Sequence, residues 1–180
     1  MKDSQLITVG RMTYVHLHKG VYVDIPAKID TGADASAIDA SHVQINEAGQ
    51  LEYILFQPHA AYYDGILHKT SKYRVKVVKS STGHVQIRYT INLPLYICGK
   101  KINATFTLTD RSKNTFPILI GARTLKNKFA VDVSYNYDEY RTYINERKDP
   151  FNTLSSRYTE ESSASPVRFY NDVYLKQEDK

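Results

Sequence analysis

The sequence predicts an all-β domain with one short helix, and three observations carry that prediction. Apolar and polar residues alternate with period two through the middle of the chain. Two further apolar runs do not alternate, and each stops at a glycine-containing turn. No apolar repeat of three to four residues lasts long enough for a sizeable helix. A length of 180 residues, 42% hydrophobic and 24% charged, suits a globular domain with its own core.

In chain order, Ala27-Lys28-Ile29 feeds Asp30-Thr31-Gly32-Ala33, a buried strand delivering a polar turn. Tyr73, Val75 and Val77 alternate with Arg74, Lys76 and Lys79 nearby. After Ser80-Ser81-Thr82-Gly83, the residues Val85, Ile87, Tyr89, Ile91 and Leu93 alternate with Gln86, Arg88, Thr90 and Asn92. Two such runs about a Ser/Thr/Gly turn predict a long β-hairpin over 73–93. Pro94 is expected between strands, where its missing N–H does no harm. A further strand carries Ile102, Ala104, Phe106 and Leu108 on one face. Phe116-Pro117-Ile118-Leu119-Ile120 then runs into Gly121 as a second buried strand. A short helix is expected over Thr124–Phe129 with Thr124 as its cap. Tyrosine-rich residues 133–143 read as a closing strand. From Lys148 the pattern dissolves, with Pro150, Ser155-Ser156 and a polar stretch to Pro166. The expected organisation is a domain over 1–147 and a polar tail over 148–180, partly disordered or docked through Phe169, Tyr170, Val173, Tyr174 and Leu175.

Composition narrows the function classes. A single cysteine, Cys98, allows no intrachain disulfide, and its place between Ile97 and Gly99 suggests a buried structural thiol. No run approaches the ~18 apolar residues of a membrane span, and no apolar stretch follows Met1-Lys2-Asp3-Ser4-Gln5. A cytoplasmic protein without a membrane partner is expected. Residues 147–180 hold six basic and six acidic side chains, so the net charge of +5 lies in 1–146. The basic residues there are dispersed: Lys69, Lys72, Arg74, Lys76 and Lys79, then Lys100, Lys101, Lys126 and Lys128. A nucleic-acid groove needs such charges on one face with aromatic platforms between them, so a nucleic-acid partner is not expected.

The first constellation with chemistry in it is Asp30-Thr31-Gly32. A turn is the plain reading, because Asp and Gly favour turns for backbone reasons. Context adds to it: an apolar strand delivers the aspartate, and Gly32-Ala33 leaves room for a substrate backbone to approach. Histidines at 16, 18, 42, 59, 68 and 84 form no His-Glu-x-x-His, and only His16 and His18 share a strand face. No metal site and no cofactor are expected. Gly-x-Ser-x-Gly, Walker and dinucleotide-binding patterns are all missing.

Ala27-Lys28-Ile29-Asp30-Thr31-Gly32-Ala33-Asp34 resembles the active-site signature of retropepsin-like aspartic proteases. Ile118-Leu119-Ile120-Gly121-Ala122-Arg123-Thr124-Leu125 resembles their second signature, and Tyr96 to Ile102 their strand pair after the flap. The spacing is most similar to a bacterial branch labelled ATP-dependent zinc protease, in which Thr107-Leu108-Thr109-Asp110-Arg111 and Phe129-Ala130-Val131-Asp132 also fit. The likeness covers about residues 8–135. It implies a closed acid-protease barrel with a flap hairpin tipped by Ser80, Ser81, Thr82 and Gly83. It also implies a homodimer in which Asp30 from each subunit supplies one carboxylate of a dyad sharing a proton. Thr31, Gly32 and Ala33 would complete the active-site loop, beside the second signature at Ile120, Gly121 and Arg123. Viral members place an arginine directly after that glycine, paired with the aspartate matching Asp34. Here Ala122 stands there and Arg123 follows, so Asp34 and Arg123 are the expected interface pair. The implied function is endopeptidase cleavage of an extended peptide or protein. The alternative is a non-catalytic peptide- or protein-binding module on the same fold, associated with ATP-grasp amino-acid ligases.

Overall fold

The computed structural model describes residues 6–17, 21–79, 85–147 and 150–177. It separates into two compact units, Met1–Tyr137 and Asp138–Lys180. In the first unit, β1 (Ile7–Val9), β2 (Met12–Leu17), β3 (Tyr22–Asp30), β4 (Ser36–Ile45), β5 (Leu51–Leu55) and β6 (His68–Thr70) come first. They are followed by β7 (Arg74–Lys79), β8 (Val85–Ile97), β9 (Lys100–Thr109), β10 (Ile118–Gly121), α1 (Ala122–Leu125) and β11 (Phe129–Val131). The strand order β10-β3-β2-β8-β9-β4 closes on itself because β10 also pairs with β4, which makes a six-stranded barrel. Strands dominate and helices are few and short in this unit, so the predicted all-β barrel is the observed fold.

The barrel exists because alternation supplies one apolar face per strand. Ile91, Leu93, Leu95 and Ile97 of β8 are buried, as are Ile102, Ala104, Phe106 and Leu108 of β9. The same period continues into Val85 and Ile87, but those side chains are 62% and 74% exposed. Strand β8 leaves the barrel there and pairs with β7 from Arg74↔Thr90 to Lys79↔Val85, the predicted hairpin. Its turn, Ser80 to Gly83, lies outside the described residues. Pro94 lies within β8 rather than between strands. It occupies the gap where β8 has left β7, after Thr90, and has not yet met β2, at Leu95. On that side no described residue is paired with Pro94, so its missing N–H leaves no observed ladder bond unmade.

Several other expectations are corrected. The first helix spans Ala122–Leu125, with Gly121 at its N-cap position, and Phe129 belongs to β11. Cys98 is exposed, not buried. It shares a tight turn with Gly99, at φ of +46° and +75°, joining β8 to β9. Residues 137–146 form helix α2 (Tyr137–Glu146) instead of a strand, with Asp138 and Glu139 in the first turn, where acidic groups suit the helix dipole.

In the second unit, α3 (Pro150–Ala164) and α4 (Pro166–Phe169) occupy much of the stretch that carries no clear pattern. Pro150 and Pro166, expected in a patternless tail, are the first residues of these helices, where a missing N–H costs nothing. An Arg157–Glu161 pair one turn apart, at 3.4 Å, and the Tyr158 and Phe169 rings, edge to face at 5.5 Å, support this unit. No described helix is long and apolar enough to cross a membrane.

Candidate active site

Asp30 is the last residue of β3, delivered by the buried side chains of Ala27 and Ile29. Beyond it the backbone must turn, and the aspartate's own carboxylate helps it do so. Oδ1 accepts the N–H of Gly32 at 3.0 Å and that of Ala33 at 3.2 Å. Ala33 N–H also reaches the Asp30 carbonyl at 3.4 Å. This side-chain turn fixes one carboxylate oxygen. Thr31 and Gly32 are exposed on the loop surface.

The second signature lies directly against this loop. Strand β10 runs parallel to β3 with Ile120 opposite Ile29 and Gly121 opposite Asp30. Ile120 is fully buried. Helix α1 begins with unsatisfied N–H groups, as every helix does, and the Asp30 loop satisfies them. Ala122 N–H donates to Ala33 O at 2.7 Å, and Arg123 N–H to Asp34 O at 3.2 Å. Gly121 N–H donates to Ser36 Oγ at 3.1 Å, and Ser36 Oγ meets Thr124 Oγ1 at 2.8 Å. Ser36 and Thr124 are both buried, so this hydroxyl pair is an internal bolt between the two signatures. Gly121 cannot be larger. A Cβ there would lie 2.5 Å from the Ala35 carbonyl carbon and 2.8 Å from Ala33 O.

Arg123 reaches Asp34 despite standing one position later than in the viral pattern. Its Nε lies 2.7 Å from Asp34 Oδ1 within the same chain. Lys76 of β7 takes the other oxygen, Nζ to Oδ2 at 3.0 Å. The hydrogen bonds from Lys76 and Arg123 hold the Asp34 carboxyl below its ordinary value. Asp34 therefore ties the base of the hairpin to the loop that carries Asp30. Sequence reasoning missed Lys76, because a lysine in a strand looks like a solvated face.

Arg111 is a second residue not foreseen as part of the site. Its backbone N–H donates to Asp39 Oδ1 at 2.7 Å and its Nε to Phe116 O at 3.0 Å. Burial pushes its guanidinium below the ordinary value, Asp39 and Asp30 pull it back up, and Arg88 pushes it down. An arginine charge thus stands in the field of Asp30, with a second arginine from the hairpin close by. The Asp-Arg dipeptide ahead of the second signature was the only available hint.

His16 accepts the Asp24 N–H at Nδ1, at 3.1 Å, and His18 lies outside the described residues. Among the described residues no three His, Cys, Asp or Glu side chains are placed to share a metal ion.

Comparison with known proteins agrees with this geometry. Residues 8–142 match the family described as RimB-like, retropepsin-like aspartic endopeptidase RimB. The chain belongs to that family. Two proteins named probable alpha-L-glutamate ligase are also similar. The one from Desulfotalea psychrophila is 26% identical over 111 residues, 60% of this chain and 24% of that protein. The one from Shewanella halifaxensis is 26% identical over 116 residues, 63% of this chain and 25% of that protein. The chain thus spans about a quarter of the length of these relatives. The crystal structure of Lpg0085, a Legionella pneumophila protein of unknown function, shares the fold. Its TM-score is 0.54 at 20% identity, covering 71% of this chain and 94% of that one.

Proposed function

We propose that this RimB-like chain is an aspartic endopeptidase whose dyad is built from Asp30 of two subunits. The observation that carries the reading is the Asp30 carboxylate, seated by two backbone N–H groups and locked in register with Gly121. One carboxylate is half of the chemistry. The ionised member of a dyad takes a proton from water while the neutral member hydrogen-bonds the scissile carbonyl. A two-fold axis beside the exposed Thr31-Gly32 turn supplies the second member. The 73–93 hairpin acts as a lid over the extended peptide, excluding water and offering backbone hydrogen bonds.

The substrate class follows from charge. The Arg111 charge acts on Asp30, with Arg88 of the hairpin in turn acting on Arg111, and a positive field there favours acidic side chains around the scissile bond. Similarity to proteins named alpha-L-glutamate ligase supports glutamate-containing peptides, with a ligase as the source of the bond being cut. A second reading, a non-catalytic peptide-binding module, draws on the same relatives, since they are named for ligation and not hydrolysis.

Subunit mixing tests the proposal. Asp30→Asn keeps shape and hydrogen bonding but removes the charge, so its dimers should form and be inert. With equal amounts and random exchange, about half of the wild-type protomers enter mixed dimers. Activity on a glutamate-rich peptide should then fall to about half that of the wild type alone. Full activity despite proven exchange means each subunit holds a whole site, and the shared dyad is wrong.

A further inference from the structure

The basic residues that look dispersed along the chain converge in space. Arg74 and Lys76 of β7, Arg123 of α1 and Lys128 just before β11 line one cavity of about 470 Å³, with Asn103 and Thr105 of β9 on its wall. Such a volume lies within the ~300–1,000 Å³ range of small-molecule sites. Among the described residues no acidic side chain lines it. The nearest compensation is Asp34, one carboxylate shared by Lys76 and Arg123. Neither Arg74 nor Lys128 has an acidic partner among the described residues; Lys128 Nζ settles for the Lys126 carbonyl at 3.1 Å. Four positive charges therefore face one cavity with one negative charge to answer them.

Like charges brought together repel, and the repulsion is relieved by a counter-charge placed between them. The wall adds a neutral donor, the Asn103 amide, that orients oxygens without adding charge. Arg74 offers the planar fork that binds an oxyanion through two parallel hydrogen bonds. We propose that this cavity is a binding site for a ligand bearing two or more oxyanion groups, carboxylate or phosphate. None of its lining residues is Asp30, Arg88 or Arg111, and binding there does not require hydrolysis. Its occupant takes hydrogen bonds from Lys76 and Arg123, so it competes with Asp34 for both cations. Anion occupancy is thereby felt where the hairpin is tied to the Asp30 loop.

The test is calorimetric titration of the full-length Asp30→Asn protein, in which no peptide can be consumed. The probes are citrate, inorganic pyrophosphate and a tetraglutamate peptide. At least one should bind with one site per chain. Arg74→Gln and Lys128→Gln should each weaken that binding about tenfold, the worth of one charge-assisted hydrogen bond. Lys101→Gln, an equal charge change on β9 away from the cavity, should leave it unchanged. Asp34→Asn, which removes the internal competitor, should tighten it. Binding of the peptide alone identifies acidic side chains as the ligand, whereas binding of citrate or pyrophosphate identifies a free small anion. Absence of binding by all three probes overturns the proposal, and so does equal weakening by all three cation variants. A wild-type result in the subunit-mixing experiment would leave these outcomes untouched.

Discussion

Replacing Gly121 by alanine probes the junction on which the site is built. The added Cβ meets three backbone atoms: Ala35 C at 2.5 Å, Ala35 O at 2.6 Å and Ala33 O at 2.8 Å. Carbon contacts relax at about 3.5–4.0 Å, so the two signatures must part by roughly 1 Å. No side chain can swing aside to absorb this. Overpacking of this kind costs about 1–3 kcal/mol. The separation also stretches the 2.7 Å bond from Ala122 N–H to Ala33 O and the buried Gly121 N–H to Ser36 bond. Leaving such groups poorly paired costs about 1–3 kcal/mol more. A total of about 3 kcal/mol, with a urea slope of about 1.5 kcal/mol/M, lowers the unfolding midpoint by about 2 M. Asp30 moves with its loop, and a displacement near 1 Å is expected to cut turnover roughly a hundredfold. Circular dichroism in urea and a peptide-cleavage assay read the two effects. A midpoint within about 0.3 M of wild type together with full turnover would refute the close approach of the two signatures.

Three further outcomes are expected. Lys76→Gln removes the largest influence holding the Asp34 carboxyl down. Carboxyl NMR should show Asp34 titrating higher, and amide exchange in β7 should quicken; an unmoved Asp34 would mean that the hairpin is not tied there. Glu52 is held at about 2, against an ordinary 4.5, by Lys69 first and then Asn46 and Gln44. A lowered folded-state value stabilises fully above 4.5 and is lost as pH falls toward 2, so Glu52→Gln should flatten the acid side of the stability profile; an identical acid limb in mutant and wild type would argue against it. Peptide cleavage should survive chelators and be suppressed by a statine-type transition-state mimic; zinc-restorable loss on chelation would replace the aspartic mechanism.

The barrel and the two signature strands were legible because each is written locally. Period-two runs mark β7, β8 and β9, and the stretches 27–32 and 116–121, each leading to a glycine, mark the strands behind the site. The Ser36–Thr124 bolt was not legible, because its residues sit 88 positions apart and only the fold brings them together. Thr124 was read as a helix cap, and its hydroxyl was already committed elsewhere. Lys76 and Arg111 were hidden because charged residues in strands and loops signal solvent unless a partner is known. The tyrosine-rich segment misled in a different way. Tyr135 and Tyr137 fit a strand period, but Tyr137, Tyr140 and Tyr143 recur every three residues, and they lie in α2. There the helical spacing was present and the aromatic composition outweighed it.

The parallel register of Asp30 with Gly121 also sets a clock. Parallel neighbours need a long connection, and here nearly all of the barrel is made between the two strands. A loop of that length closes late, since its ordering cost must be met before any contact repays it. At about 5–20 residues per second, synthesis needs roughly 5–20 s to travel from Asp30 to Gly121. Until then nothing donates to Ser36 Oγ at the junction or to the Ala33 carbonyl from α1, so the carboxylate loop of a chain still on the ribosome lacks its brace. The half of the site that carries Asp30 is thus among the first strands made and among the last places to set, and the timing is written in which two strands lie side by side.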